Sequence, residues 1–175
     1  FEFDSYDVMV GFDYRLGNDL VLGAAINYYD IDSDFDKTAT VSGGGVDADG
    51  WGASVYATWY QDNFYFDAIA GFAQSDYDVK RSIVIPNNNV GGTSITETAK
   101  GSPESTDYSF SIGAGYNVNR GALDFGPYFR ASYSNVDMDG YRENGAETSG
   151  LNLRVKGEEW ESLTTVLGVQ FSYAI

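Results

Sequence analysis

The sequence has no cysteine and no histidine among its 175 residues. Disulfide frameworks, Cys–His and Ser-His-Asp nucleophile systems, zinc fingers and HExxH sites are therefore excluded. Proline is scarce, at 3, and no apolar run approaches the ~18–20 residues of a membrane-spanning helix. Basic residues are few as well: Lys+Arg is 10 against 26 Asp+Glu, a formal net charge of −16. Charge of that sign repels phosphate backbones and speaks against nucleic acid as a partner. The chain opens FEFDSYDVMV, without the basic-then-apolar pattern of a secretion signal. For a secreted or outer-membrane protein, the start is then expected to be missing or processed.

What is abundant is aromatic residues and glycine. Trp 3, Tyr 14 and Phe 11 make 16% of the chain, and Gly is 21. Disordered chains are poor in aromatics, and this combination with little proline predicts an all-β protein. The periodicity is two. In 51–60, Trp51, Ala53, Val55, Ala57 and Trp59 alternate with Gly52, Ser54, Tyr56, Thr58 and Tyr60. In 107–118, Tyr108, Phe110, Ile112, Ala114, Tyr116 and Val118 share one face. Segments 6–16, 20–29, 64–75, 123–134 and 163–174 alternate in the same way. This predicts seven strands, each about twice the ordinary 5–6 residues, with one apolar and one polar face.

The predicted connections alternate in length. Gly17-Asn18-Asp19, Gln61-Asp62-Asn63 and Asn119-Arg120-Gly121 are tight-turn sequences. The links 31–49, 76–106 and 135–160 are long and polar. Short, long, short, long is the sidedness of an antiparallel up-and-down transmembrane β-barrel, and strands near ten residues fit a tilted membrane crossing. Tyr14, Trp59, Phe64, Tyr116 and Phe125 lie beside the short turns; Tyr6, Tyr28, Trp51, Tyr108 and Tyr133 lie toward the opposite strand ends. Two such groups are expected as aromatic girdles where lipid tails meet head groups. Asp13, Arg15, Asp67, Asn117, Asp124, Arg130 and Gln170 fall on the polar face and are expected to line the lumen, paired or hydrated. A soluble β-sandwich or ligand-binding β-barrel, its aromatic face a buried core, is the alternative on pattern alone.

The stretches FDSYDVMVGFDYRLGNDLVLGAAINYYDIDSDFD (3–36), DGWGASVYATWYQDNFYFDAIAGFAQSDYDVKR (49–81) and DYSFSIGAGYNVNRGALDFGPYFRASYSNVDMDGYRENGAETSGLNLRV (107–155) resemble the autotransporter β-domain. This is the translocator barrel of type V secretion. "DGY", "GPYFR" and "LNLRV" at their relative positions carry much of the likeness. The resemblance implies a barrel of about twelve strands in the bacterial outer membrane. It also implies a lumen threaded by a linker helix, an N-terminal passenger exported through it, and insertion by the barrel-assembly machinery. Seven strands rather than twelve, and Ile175 where the family ends in a terminal aromatic, imply that residues 1–175 are one β-barrel domain incomplete at both ends. A small stand-alone outer-membrane barrel with acidic surface loops, acting in adhesion or envelope stability, is the second reading.

Other clusters carry weaker chemistry. Asp30, Asp32, Asp34 and Asp36 could offer calcium ligands from one side of a strand. An EF-hand is excluded because Phe35 replaces the turn glycine and Val41 the bidentate Glu. A solvated strand extension is the simpler expectation, and Asp137 and Asp139 are read alike. The rim acids could bridge to lipopolysaccharide through divalent cations. Lys80 and Arg81 stand near the expected outer rim, where lipid-A phosphate is in reach. Glu158, Glu159 and Glu161 around Trp160 are expected on an exposed rim. No pair of carboxylates is placed across a cleft and no glycine loop opens a helix, so no enzyme activity and no cofactor are expected.

Overall fold

Two-residue alternation, sustained along most of the chain, folds it into one antiparallel meander. The computed structural model describes residues 2–36, 43–86 and 92–173; Val41 and Ile175, singled out above, lie outside the described residues. The strands are β1 (Glu2–Leu16), β2 (Leu20–Phe35), β3 (Gly44–Gln61), β4 (Phe64–Ile85), β5 (Ile95–Gly101), β6 (Glu104–Tyr116), β7 (Val118–Arg120), β8 (Leu123–Met138), β9 (Tyr141–Arg142), β10 (Arg154–Val155) and β11 (Glu158–Tyr173). The main sheet runs β1-β2-β3-β4-β6-β8-β11, with β5 added to the far end of β4 and β7 to β8. β9 and β10 pair with each other in the hairpin between β8 and β11. The seven long strands are the seven predicted segments. Their short connections hold the expected turn residues, with Gly17, Asp62 and Gly121 at φ of 66°, 53° and 68°.

The long links differ from expectation. Most of 31–49, 76–106 and 135–160 is strand rather than loop: β2 runs to Phe35, β4 to Ile85, β3 begins at Gly44, and β11 begins at Glu158. Glu158, Glu159 and Glu161 are thus ladder residues opposite Met138, Asp137 and Asn135. The physical reason is that pairing outlasts amphipathicity. Beyond the apolar zone both faces meet water, so the hydrophobic period fades while backbone hydrogen bonds continue. Continuation also tolerates like charges face to face, as at Asp32 with Asp47 and Asp47 with Asp78. The strand 107–118 is likewise interrupted after Tyr116.

The register sorts every long strand into the same two faces. Val10 faces Ile26, Ile26 faces Ala53, Ala53 faces Phe72 and Phe72 faces Tyr108. Nothing covers this apolar face: Phe12, Phe171 and Leu167 are 75%, 77% and 83% exposed. No large side chain is fully buried among the described residues. A soluble sandwich would bury that face in a second sheet; here it is left to its surroundings along every strand. The two end strands, β1 and β11, do not pair with each other among the described residues.

Candidate functional site

The apolar face has a repeated span. Tyr6 and Tyr14, Trp51 and Trp59, Phe64 and Phe72, Tyr108 and Tyr116, and Phe125 and Tyr133 are each eight residues apart on their strands. Eight steps cover ~27 Å of strand, ~20 Å of height at a strand tilt of ~35–45°, which fits within an apolar band ~25 Å tall between two girdles. The eight residues expected as girdle residues, Tyr14, Trp51, Trp59, Phe64, Tyr108, Tyr116, Phe125 and Tyr133, share this face, toward one end of their strands or the other. The rings touch across strands: Trp51–Phe72 at 5.5 Å, Phe72–Tyr108 at 5.3 Å, and Phe64–Tyr116 edge-on at 4.5 Å. Between the rims the face carries Ala, Val, Ile, Leu and Phe, with Pro127 on β8 and Thr165 on β11 as the exceptions.

Just beyond the rim far from the short turns, the same face turns acidic. Asp30 faces Asp49, Asp49 faces Asp76 and Asp76 faces Glu104 in one continuous row. The next row sets Asp32 opposite Asp47, whose charge holds the Asp32 carboxyl above its usual range. Lys80 answers Asp47 at 2.6 Å. Asp30, Asp32 and Asp34 are therefore members of a collar spread along strands. Among the described residues no group of three acidic side chains converges to hold a metal ion.

The polar face is built by a repeated device: a side chain on one strand reaches over a glycine on the next to a side chain on the third. Asp67 on β4 and Arg130 on β8 both pair with Gly113 of β6, and the two ends meet above it, Arg130 Nη2 donating to Asp67 Oδ2 at 2.7 Å. A Cβ on Gly113 would lie 2.6 Å from Asp67 Oδ1. Arg130 also donates to Ser111 Oγ at 3.1 Å, and Ser111 meets Ser132 at 3.0 Å. Gln170 donates to Asn117 at 2.8 Å across Gly126, where a Cβ would lie 1.6 Å from the Tyr116 carbonyl oxygen. Tyr56 donates to Asp13 at 3.4 Å over Gly23, and Tyr29 bonds Ser75 over Gly50.

Of the seven predicted polar-face residues, the structure thus brings Asp67 to Arg130 and Asn117 to Gln170. Asp13 meets Tyr56. Arg15 and Asp124 stand on the same face near the short turns. Tyr29, Tyr56 and Ser75 were not anticipated as partners, although their parity marks them as polar-face residues.

Arg81 departs from expectation. It points to the polar face, away from any lipid, and grips Glu143 with two hydrogen bonds of 3.0 and 2.5 Å. Glu143 also accepts the Leu153 N–H at 2.8 Å, and Arg81 donates to the Leu151 carbonyl at 3.0 Å. Ser149 donates to Glu97, while Ala146 packs on Ile83 and Ala99. The tip of the hairpin between β8 and β11 is thus rolled onto the polar face of β4 and β5. No sequence period announces this, because the contacts join residues 62 positions apart.

A family model described as the autotransporter beta-domain matches residues 1–175. The chain belongs to this family. The autotransporter domain is 28% identical over 167 residues to outer membrane protein A of Rickettsia conorii, covering 93% of this chain and 8% of that protein. It is 26% identical over 179 residues to esterase EstA of Pseudomonas aeruginosa, covering 98% of this chain and 25% of that one. The chain thus spans a quarter or less of these relatives. Among solved structures, the translocator domain of autotransporter NalP from Neisseria meningitidis superposes with a TM-score of 0.73 at 14% identity. That match covers 97% of this chain and 54% of NalP's, so the meander is the sheet of an antiparallel translocator-type barrel. In the outer membrane the apolar face is the lipid-facing side of such a barrel, and the acidic collar lies outside the apolar band.

Proposed function

We propose that this domain works as the translocator of a longer autotransporter, anchoring it in the outer membrane and exporting an N-terminal passenger through the lumen. The observation that carries this is the polar face. Its charges and hydroxyls are bonded to one another across glycines, so the wall lies flat and offers an unfolded chain few free groups to adhere to. Asp13, Arg15, Asp67, Asn117, Asp124, Arg130 and Gln170 are the residues a linker helix in that lumen would meet. Further strands of the same barrel would pair the open edges of β1 and β11, since an exposed edge is a site for pairing. Lipopolysaccharide and the barrel-assembly machinery are the partners this reading requires. The domain itself carries no reaction: the esterase in EstA's name describes a protein four times the matched length, and its chemistry would belong to the passenger.

The test is surface display. The full protein carries an epitope in its passenger and is expressed in a Gram-negative host, with wild-type or Asp67→Leu/Arg130→Leu barrels. Protease-sensitive epitope on intact cells is expected for the wild type, and slowed export for the variant at equal barrel assembly. A wild-type barrel that assembles yet leaves the passenger protease-protected would overturn the reading.

A further inference from the structure

The hairpin between β8 and β11 is pinched open at its base. The ladder pairs Met138 with Glu158, breaks at Gly140 and Gly157, and resumes as Tyr141 with Val155 and Arg142 with Arg154. The break holds a cleft of about 550 Å³ lined by Arg142, Arg154 and Lys156 together with Gly140, Tyr141 and Gly157. Three of the chain's ten basic residues line this one cleft, in a chain of charge −16. Among the described residues the ion pairs are Lys80–Asp47, Arg81–Glu143 and Arg130–Asp67, and none involves these three. Arg142 and Arg154 sit directly opposite each other. Like charges so placed repel, and an oxyanion between two guanidinium forks turns the repulsion into bidentate binding.

The cleft's arginines belong to the outer face. Lys100 pairs with Lys80, which shares the face of Phe72, and the Lys100 and Asn144 backbones exchange two hydrogen bonds of 2.8 and 2.9 Å. Asn144, and by alternation Arg142 and its ladder partner Arg154, therefore point outward, while Glu143 between them turns in to Arg81. From Tyr133 at the aromatic rim to Arg142 is nine residues, ~30 Å of strand and ~20 Å above the apolar band at the tilt of such barrels. The head-group layer adds only ~5–8 Å to each side of a bilayer. The collar of Asp30, Asp49, Asp76 and Glu104 stands between. Head-group phosphate is out of reach, and the anions of the outer leaflet at this height are borne on sugars.

We propose that this cleft binds a phosphate group on the saccharide portion of lipopolysaccharide. Arg142 and Arg154 hold the phosphate oxygens in bidentate fashion and Lys156 adds a point charge. The proposal rests on lipopolysaccharide being a neighbour of the barrel, and it is independent of passenger export.

The experiment is calorimetric titration of the full-length protein in detergent with three probes: delipidated core oligosaccharide, the same material dephosphorylated, and inorganic phosphate. Phosphorylated oligosaccharide is expected to bind, more weakly as salt rises. Affinity should fall about tenfold or more in R142Q/R154Q/K156Q, as loss of one charge-assisted contact requires. Arg120→Gln, at the short-turn end, should bind as wild type. Equal binding of the dephosphorylated material, or an unchanged triple variant, overturns the proposal. Inorganic phosphate binding as tightly as the oligosaccharide overturns the saccharide assignment. Heat-modifiable gel mobility reports barrel assembly of each variant, and the single K156Q change gives a milder probe expected to lose a few-fold. Failed display with intact oligosaccharide binding would count against the export reading alone.

Discussion

Placing arginine at the centre of the apolar face is the most direct test of which face meets lipid. Ile112 lies four residues from Tyr108 and four from Tyr116, ~14 Å of strand from either rim. It faces Ala68 on one side and Ala131 on the other, with no polar group among its ladder partners. Arginine on a lipid-facing strand costs ~2–4 kcal/mol at the bilayer midplane and ~0–1 near the interface. Ile112→Arg should therefore lower stability by about 3 kcal/mol, two orders of magnitude in the folding constant. Ala114→Arg, two residues nearer the rim, should cost less. The comparison residue is Ser54, next to Val55 but on the polar face, opposite Ala25 and Gly71; Ser54→Arg reaches water in the lumen and should cost under ~1 kcal/mol. Ser111 is unsuitable because Arg130 already donates to it. The assay is guanidinium-induced unfolding of the complete barrel in lipid vesicles. Costs for Ile112→Arg and Ser54→Arg within about 0.5 kcal/mol of each other, or no depth dependence between positions 112 and 114, would refute the facing assignment.

Three further outcomes are expected. A double-mutant cycle of Asp67→Asn and Arg130→Gln should give a coupling of about 1–2 kcal/mol: a charged hydrogen bond contributes ~1.5–3, reduced because the Arg130 side chain is 38% exposed. Coupling below about 0.3 kcal/mol would mean the bridge is ornamental to stability. Gly126→Ala should destabilise by about 1–3 kcal/mol because its Cβ meets backbone, the Tyr116 carbonyl oxygen; Gly23→Ala should cost less, since there the Cβ meets the Tyr56 ring, which can swing aside. The hairpin tip should loosen in acid. The Arg81 guanidinium, with the Leu153 N–H, holds the Glu143 carboxyl below its ordinary value, and Ser149 does the same for Glu97. With folded values below the ordinary one, this stabilisation is complete above the ordinary glutamate range and is lost as pH falls through the lowered values. Around Glu143 the charged partner is Arg81 on β4, and Tyr141 on β9 acts on that guanidinium. Hydrogen exchange at the Leu153 amide should stay protected from pH 7 to 5 and speed up only below the ordinary glutamate range; protection lost already between pH 7 and 5 would contradict the assignment.

How much of this was legible in the sequence follows from the reach of each signal. Alternation is local, so the seven strands, their faces and both aromatic rims could be read from residues two apart. Turn chemistry is local as well: Gly17, Asp62 and Gly121 sit where the short links predicted them. Strand ends beyond the rim were not legible, because Asp30 to Phe35 and Asp76 to Ile85 stay paired where water wets both faces and the pattern no longer reports pairing. β5 was missed for the same reason: ITETAKG has no apolar face to display. Partners across the polar face were half legible. Parity put Asp67 and Arg130 on one side, but their meeting depends on Gly113 standing between them in a register that only the assembled ladder defines. Arg81 shows the limit. Beside Lys80 it reads as one basic pair at an outer rim, yet the two point to opposite faces.

The recurrent glycines bear on both the stability of the wall and the space beside it. A barrel wall needs contacts beyond adjacent-strand ladders, and long polar side chains supply them by joining strands one and three. On an ordinary sheet the intervening side chain would force those groups upward into the lumen. At Gly23, Gly50, Gly113 and Gly126 there is no side chain, so tyrosine, aspartate, arginine and glutamine lie along the wall while closing their bonds. Adding a methyl group at Gly113 therefore does two things at once: it strains the Asp67–Arg130 bridge and lifts it toward the lumen axis. Gly113→Ala should lower stability and narrow the pore together. Asp67→Asn/Arg130→Gln should lower stability without narrowing it, and single-channel conductance of the complete barrel separates the two. Equal conductance in both variants would mean the glycines serve packing alone.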